Sequence, residues 1–176
     1  MNQEFVFKLI ILGDKGVGKT TLTYRYVTGL FRDNLKQTIG IDIFSKFIEY
    51  GDKLFKFQIW DFGGEERFRS ILPKYCTGAD VALILYDIKN NNSYDHLPIW
   101  INIVKENTNN IPILLIGTKK DLEKYREVPS NRGNEIQKSY NLNGFYEISS
   151  LTGDNIEEIF SNVIKILIQE HTLELD

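Results

Sequence analysis

The chain has 176 residues, enough for one domain with a substantial core, and its 26% charged and 42% hydrophobic residues are ordinary for a soluble globular protein. A net charge of -3 gives no electrostatic case for nucleic acid or an acidic membrane surface. Cys76 is the only cysteine, which excludes an internal disulfide and points to a reducing, cytoplasmic setting, and neither a secretory signal nor a membrane-spanning apolar run is present.

The first predicted element is a buried strand, Phe5-Val6-Phe7-Lys8-Leu9-Ile10-Ile11-Leu12. It leads into Gly13-Asp14-Lys15-Gly16-Val17-Gly18-Lys19-Thr20, which fits G-x-x-x-x-G-K-[ST] at every position. The spacing has a chemical cause. Glycines let the backbone curl so that successive N–H groups face an anion. Lys19 adds a charge for the outer phosphates, and the Thr20 hydroxyl is placed to bind magnesium. A helix from Thr20 to Val27 follows, with its positive end turned to the same spot. A glycine-rich turn can match such a pattern by chance, but strand and helix on either side argue against it.

Ile41 to Tyr50 and Lys53 to Trp60 read as two strands around a Gly51-Asp52 turn. In the second, Phe55, Phe57 and Ile59 alternate with Lys56 and Gln58, so one face is buried. Val81 to Tyr86 and Ile113 to Ile116 are continuous apolar runs, as expected of central parallel strands covered on both faces. Between them Leu97, Trp100, Ile101 and Val104 share one helical face after Ser93, read as the cap. Asn90-Asn91-Asn92 and Asn107 to Asn110 read as loops. Ile136 and Tyr140 mark a weaker helix after Ser130, and Phe145 to Ser149 a short strand. Ile156, Ile159, Phe160, Val163, Ile164, Leu167 and Ile168 form the cleanest amphipathic stripe, with Asp154 and Glu157 resembling a capping pair at its start. These stripes are read as core packing. The order predicts a doubly wound α/β fold: a mostly parallel central sheet, one antiparallel hairpin strand and helices on both faces. Ligands of such sheets sit at the carboxyl ends of the strands.

Four further segments fall at candidate strand ends or loops: Thr38-Ile39-Gly40, Trp60-Asp61-Phe62-Gly63-Gly64-Glu65-Glu66, Thr118-Lys119-Lys120-Asp121 and Ser149-Ser150-Leu151. With the phosphate loop they make the chain resemble a Ras-superfamily small GTPase, closest to the Rab branch. The Rab-like cues are Thr38-Ile39-Gly40-Ile41-Asp42, Gln58-Ile59-Trp60-Asp61 and Glu66-Arg67-Phe68-Arg69. The match runs from about Phe5 to about Ile168, and residues 1–176 are expected to form a single G domain.

The resemblance implies GTP and GDP as ligands, with magnesium, and assigns roles by position. Phosphate contacts fall to Gly13, Asp14, Lys15, Gly16, Val17, Gly18, Lys19, Thr20 and Thr21. Thr20 and Thr38 supply oxygens around magnesium, and Asp61 holds it through water. Gly64 offers its N–H to the terminal phosphate. Asp121 accepts the paired N–H groups of guanine, which adenine does not present. Lys119 packs along the base and braces the phosphate loop; Ser149, Ser150 and Leu151 belong to the base-binding loop, with a Ser150 N–H for the guanine oxygen. Phe31 occupies the place of an aromatic near the base. Glu65, Gly64, Lys19 and Thr38 are the catalytic set. Effector, activating and exchange proteins are the implied partners. Trp60 and Tyr75, with Ile43, resemble effector-contact positions, and the two aromatics read equally well as core.

The sequence departs from the family pattern at several points. Glu65 stands where most relatives carry a glutamine that orients the attacking water. A carboxylate accepts a proton from water but donates no amide hydrogen bond, so slow hydrolysis is expected. Lys15 replaces a small residue, and its charge suggests an ion pair with Glu65 across the mouth of the site; a solvated surface lysine is the bland alternative. Phe62 replaces a small polar residue, and Leu151 a lysine. Thr118 in place of asparagine is a variant seen in the Rho branch. The chain ends His171-Thr172-Leu173-Glu174-Leu175-Asp176, without the cysteines that carry prenyl groups in Rab-like proteins, so no membrane anchor is read in this chain: either a lipidated tail has been removed, which implies peripheral membrane association, or the protein works without that anchor. Two rival functions stay open: a module that holds GTP with negligible turnover, and an ATP-dependent P-loop kinase, which Asp121 disfavours.

Overall fold

The structure, a computed structural model, describes residues 4–171; the tail from Thr172 onward, where a lipid anchor was sought, lies outside them. Strands β1 (Glu4–Gly13), β2 (Ile41–Tyr50), β3 (Lys53–Phe62), β4 (Val81–Asp87), β5 (Ile113–Thr118) and β6 (Gly144–Glu147) form one sheet in the order β2-β3-β1-β4-β5-β6. Every neighbouring pair is parallel except β2 with β3, which is antiparallel as expected of the hairpin. β1 lies between β3 and β4, so the chain winds outward from it in both directions. That is the switch point where a crevice opens at the carboxyl edge.

Two apolar layers sandwich the sheet. On one face, helices α1 (Lys19–Thr28) and α6 (Ile156–Glu170) cover Leu9, Ile11, Phe57, Leu83 and Leu114 with Leu22, Tyr26, Ile159, Phe160 and Val163. On the other, α2 (Leu72–Cys76), α3 (Asn91–Asp95), α4 (Leu97–Asn107) and α5 (Ser130–Ser139) cover Ile10, Leu12, Ala82, Ile84 and Leu115. β4 and β5 are buried along their whole length, which is why they read as unbroken apolar runs.

The element ends differ from expectation in three places. Ser93 does not cap α4. It lies inside α3, whose cap is Asn90, with the Asn90 side chain accepting from Ser93 N–H. Asn90-Asn91-Asn92 is therefore a helix start rather than a loop, because an asparagine side chain satisfies an orphan donor of the first turn. Asp154 and Glu157 make no capping pair. Asn155 precedes α6 at φ 60° without a side-chain cap bond, and Asp154 pairs instead with Lys120 at 2.7 Å. The last predicted strand stops at Glu147, leaving Ser149 in a loop.

Candidate nucleotide-binding site

The phosphate loop is the joint between β1 and α1. Gly13, Gly16 and Gly18 have φ of 145°, 79° and 99°, a region that side chains strain to occupy. Gly13 is further constrained from the next strand, because a Cβ there would run into the Leu85 carbonyl of β4. Lys19, buried, folds over the loop: its Nζ donates to Gly13 O at 2.9 Å and Asp14 O at 2.7 Å. Burial pulls its ammonium down to about 8, against the opposing pull of the Asp61 and Asp14 charges.

Three oxygens meet below Lys19. The Thr20 and Thr38 hydroxyls are 2.7 Å apart. Thr20 donates to Asp61 Oδ2, and Thr38 approaches the same oxygen at 3.3 Å. Asp61 is fully buried, and its Oδ1 has no hydrogen-bond partner among the described residues. Burial holds this carboxyl up at about 6, although Thr20, Lys19 and Thr38 all act to lower it. Two hydroxyls beside a buried carboxylate with an orphan oxygen form a donor set that fits a hard divalent cation such as magnesium. A cation there would favour the ionised carboxylate, and an anion beside Lys19 the charged ammonium. The site is thus polarised for a pair of opposite charges.

The segment after β3 lies directly on the phosphate loop. A Cβ on Gly64 would overlap the backbone between Gly13 and Lys15, so only glycine permits this approach. Gly63 N–H donates to Gly40 O at 2.8 Å, tying this segment to the one that carries Thr38.

At the other end, the Thr118 hydroxyl at the tip of β5 donates to Val17 O at 2.5 Å and lies 3.0 Å from Tyr86 O. Lys119 sits at φ 64°, and its Nζ donates to Gly16 O at 2.9 Å and pairs with Asp87 at 2.6 Å. These bonds hold the phosphate loop against the ends of β4 and β5. Asp121 Oδ1 accepts from the buried Ser149 hydroxyl at 2.6 Å, which fixes the carboxylate orientation.

One cavity of about 440 Å³ joins the two ends. Lys15, Gly16, Gly18, Lys19, Thr20 and Thr21 line its floor; Thr38 and Gly64 line its phosphate end. Phe31, Thr118, Lys119, Asp121, Ser150 and Leu151 line the other end, and Gln37 and Phe62 are among the remaining wall residues. Gly13, Val17, Asp61 and Ser149 stand behind this lining and position it.

Two predicted site residues turn elsewhere. Asp14 points its carboxylate away from the cavity: Trp100 Nε1 donates to Oδ1 at 2.7 Å, His96 Nδ1 lies 2.6 Å from Oδ2, and Arg69 lies 3.8 Å from Oδ1. Only its carbonyl faces Lys19. Glu65 accepts from Gln37 Nε2 on one oxygen and pairs with Arg67 at 2.5 Å on the other, while Lys15 reaches it only at 4.0 Å. The expected Lys15–Glu65 pair is therefore the weakest of three contacts. Gln37, Asp87 and His96 did not stand out in the sequence, and Arg67, Arg69 and Trp100 were read only as family cues or core face. Asp87 alone had a positional signal, as a polar residue at the carboxyl end of a buried strand.

The aromatic pair combines core and surface. Trp60 is half-buried, its ring 6.2 Å from Tyr75 and under the Lys8 ammonium at 4.1 Å. Its strand partner Ile43 is exposed, as is Ile39. No helix among the described residues is long and apolar enough to cross a membrane.

A family model described as Ras family matches residues 8–169. Ras-related protein Rab-4A of Homo sapiens and of Rattus norvegicus are each 39% identical to the chain over 175 residues, covering 98% of it and 80% of the relative. Ras-related protein Rab-15 of Rattus norvegicus is 36% identical over 174 residues, covering 98% of the chain and 82% of the relative. With the sheet order and the five motifs gathered on one edge, these similarities establish that the chain belongs to the Ras family, as a Rab-like small GTPase.

Proposed function

We propose that this protein is a single G domain acting as a guanine-nucleotide switch, binding GTP and GDP with magnesium and hydrolysing GTP slowly. The observation that carries this is the polarised cavity, with buried Lys19 and the Thr20–Thr38–Asp61 oxygens at one end and a fixed Asp121 at the other.

The chain's own groups divide the work. Phosphate-loop N–H groups and Lys19 hold the phosphates. Asp121, oriented by Ser149, accepts the two guanine N–H donors, and Ser150 N–H meets the guanine oxygen. Phe31 and the Lys119 stem cover the base. Thr20, Thr38 and Asp61 hold magnesium, which when bound offsets the negative charge that builds up between the outer phosphates. Gly64 N–H meets the terminal phosphate. Because Thr38 and Gly64 sit on segments that touch each other through Gly40 and Gly63, loss of the γ-phosphate releases both. Partners that read this difference would find the exposed Ile39 and Ile43 beside the half-buried Trp60. A cytoplasmic location fits a chain of this class.

Base selectivity tests the proposal. A site built to hydrogen-bond its ligand rejects an analogue lacking those groups by roughly 10⁴-fold or more. GTP and GDP should bind with such an advantage over ATP in competition against a fluorescent guanine nucleotide. Asp121→Asn should shift preference toward xanthine nucleotides. Equal ATP and GTP affinity in the native chain would refute the assignment.

The second reading is a GTP-holding module with negligible turnover. Its support is that both oxygens of Glu65 are engaged. Single-turnover hydrolysis distinguishes the two.

A further inference from the structure

Glu65 cannot do what a glutamine does at its position, but it is not alone. Its Oε1 accepts from the side-chain amide of Gln37, the residue immediately before Thr38. Its other oxygen faces Arg67, and Lys15 stands at the edge of reach of Oε1. The two cations are 65% and 60% exposed, and pairs of that kind are solvated and worth little. Gln37 is exposed as well, but its backbone is anchored: Thr38 beside it is buried, with its hydroxyl 2.7 Å from that of Thr20 and 3.3 Å from the Asp42 and Asp61 carboxylates.

We infer that Gln37 is a positioning residue for GTP hydrolysis, orienting the Glu65 carboxylate so that its free lone pairs receive the attacking water. This rests on the GTPase reading above. An ionised carboxylate offers about four lone-pair sites, so the Gln37 and Arg67 contacts leave acceptor capacity. The amide donor compensates part of the charge that Glu65 brings toward the phosphate. It also makes the orientation conditional. Gln37 reaches Glu65 only while the Thr38 segment is closed, so Glu65 is aimed only in the closed arrangement. The step itself is unchanged: water oxygen bonds to the γ-phosphorus, the bond to the β-phosphate oxygen breaks, and a water proton leaves by way of Glu65 or a phosphate oxygen.

The test is a double-mutant cycle on the full chain, loaded with GTP and followed by single-turnover phosphate release, with Gln37→Ala, Glu65→Ala and the pair. Nucleotide affinities and melting are measured alongside. Removing a preorganised donor aimed at a reacting centre costs about 10²–10³ in rate; acting through Glu65 from the rim, Gln37 should be worth about tenfold. Gln37→Ala is expected to lose that factor with GTP and GDP affinities within about twofold of native. In the Glu65→Ala background the same change should have no effect. An unchanged or faster rate in Gln37→Ala overturns the inference, as does an equal loss in both backgrounds, or faster GDP release without slower hydrolysis. A native chain that binds GTP without turnover overturns the positioning role and leaves GTP binding standing. A chain that does not bind GTP overturns both.

Discussion

Asp14 uses its backbone and its side chain for separate tasks. Its carbonyl accepts Lys19 Nζ inside the phosphate loop, and its carboxylate accepts the indole N–H of Trp100, a fully buried ring on α4. Arg69, from the segment that follows Glu65, stands 5.0 Å over that ring and 3.8 Å from the same carboxylate. One side chain thus links the phosphate loop, α4 and the segment that follows β3. Asp14→Ala leaves the Trp100 N–H buried without a partner, and such a group costs about 1–3 kcal/mol. Urea unfolding of the nucleotide-free chain should show a loss in that range, smaller for Asp14→Asn, which keeps a carbonyl acceptor. Equal stability of Asp14→Ala and native would mean that Trp100 finds another acceptor. The motif puts Asp14 on the loop and says nothing of where its side chain goes. A motif encodes the backbone path that the loop needs, whereas the partners of Asp14 come from His96 and Trp100, 82 and 86 residues on, and from Arg69. Gln37 escaped notice for the same reason: its partner lies on another segment, and nothing in the spacing joins them.

At the scale of elements, long apolar runs and long amphipathic stripes were legible because burial on both faces or on one stripe leaves a periodic trace. Helices α2 and α3 were not, since five residues hold too few turns to show a period. β4 illustrates what the run itself hides. Tyr86 reads as one more large buried residue, and its ring does pack edge-on to Tyr94 at 5.5 Å. Yet its hydroxyl is buried with no partner among the described residues, and burial pushes the phenol well above its ordinary pKa. It stands over Gly117 of β5, where an added Cβ would come within 2.9 Å of it. An orphan hydroxyl costs desolvation without return, so Tyr86→Phe should be neutral or stabilising by up to about 1 kcal/mol. For a domain of this size that is a rise in Tm of about 2–4 °C at most. A drop of similar size in calorimetry would show that the hydroxyl has a partner in solution.

For the whole molecule, the site sits where the two apolar layers end, at the carboxyl edge of β1, β3, β4 and β5. Each layer is packed by different helices, yet both contribute walls: α1 supplies Lys19 and Thr20, and the loop after β5 supplies Lys119 and Asp121. A ligand bridging these walls joins parts of the chain far apart in sequence, so it binds the folded state alone. Binding of that kind stabilises by RT ln(1 + [L]/Kd), about 2.7 kcal/mol at a hundredfold excess over Kd. With about 2–4 °C per kcal/mol for a domain of this size, GDP at that concentration should raise Tm by about 5–10 °C. ATP at the same concentration should leave Tm within error of the free protein. Chelating magnesium should reduce the shift given by GTP if, as proposed, Asp61 and the two threonine hydroxyls hold the cation beside the phosphates. Asp121→Ala should abolish the GDP shift; it also removes the acceptor of the buried Ser149 hydroxyl, so the shift is read against that variant's own unliganded Tm. A GDP shift that survives in Asp121→Ala would place the base elsewhere in the cavity, and an equal shift with ATP would remove guanine recognition from the protein altogether.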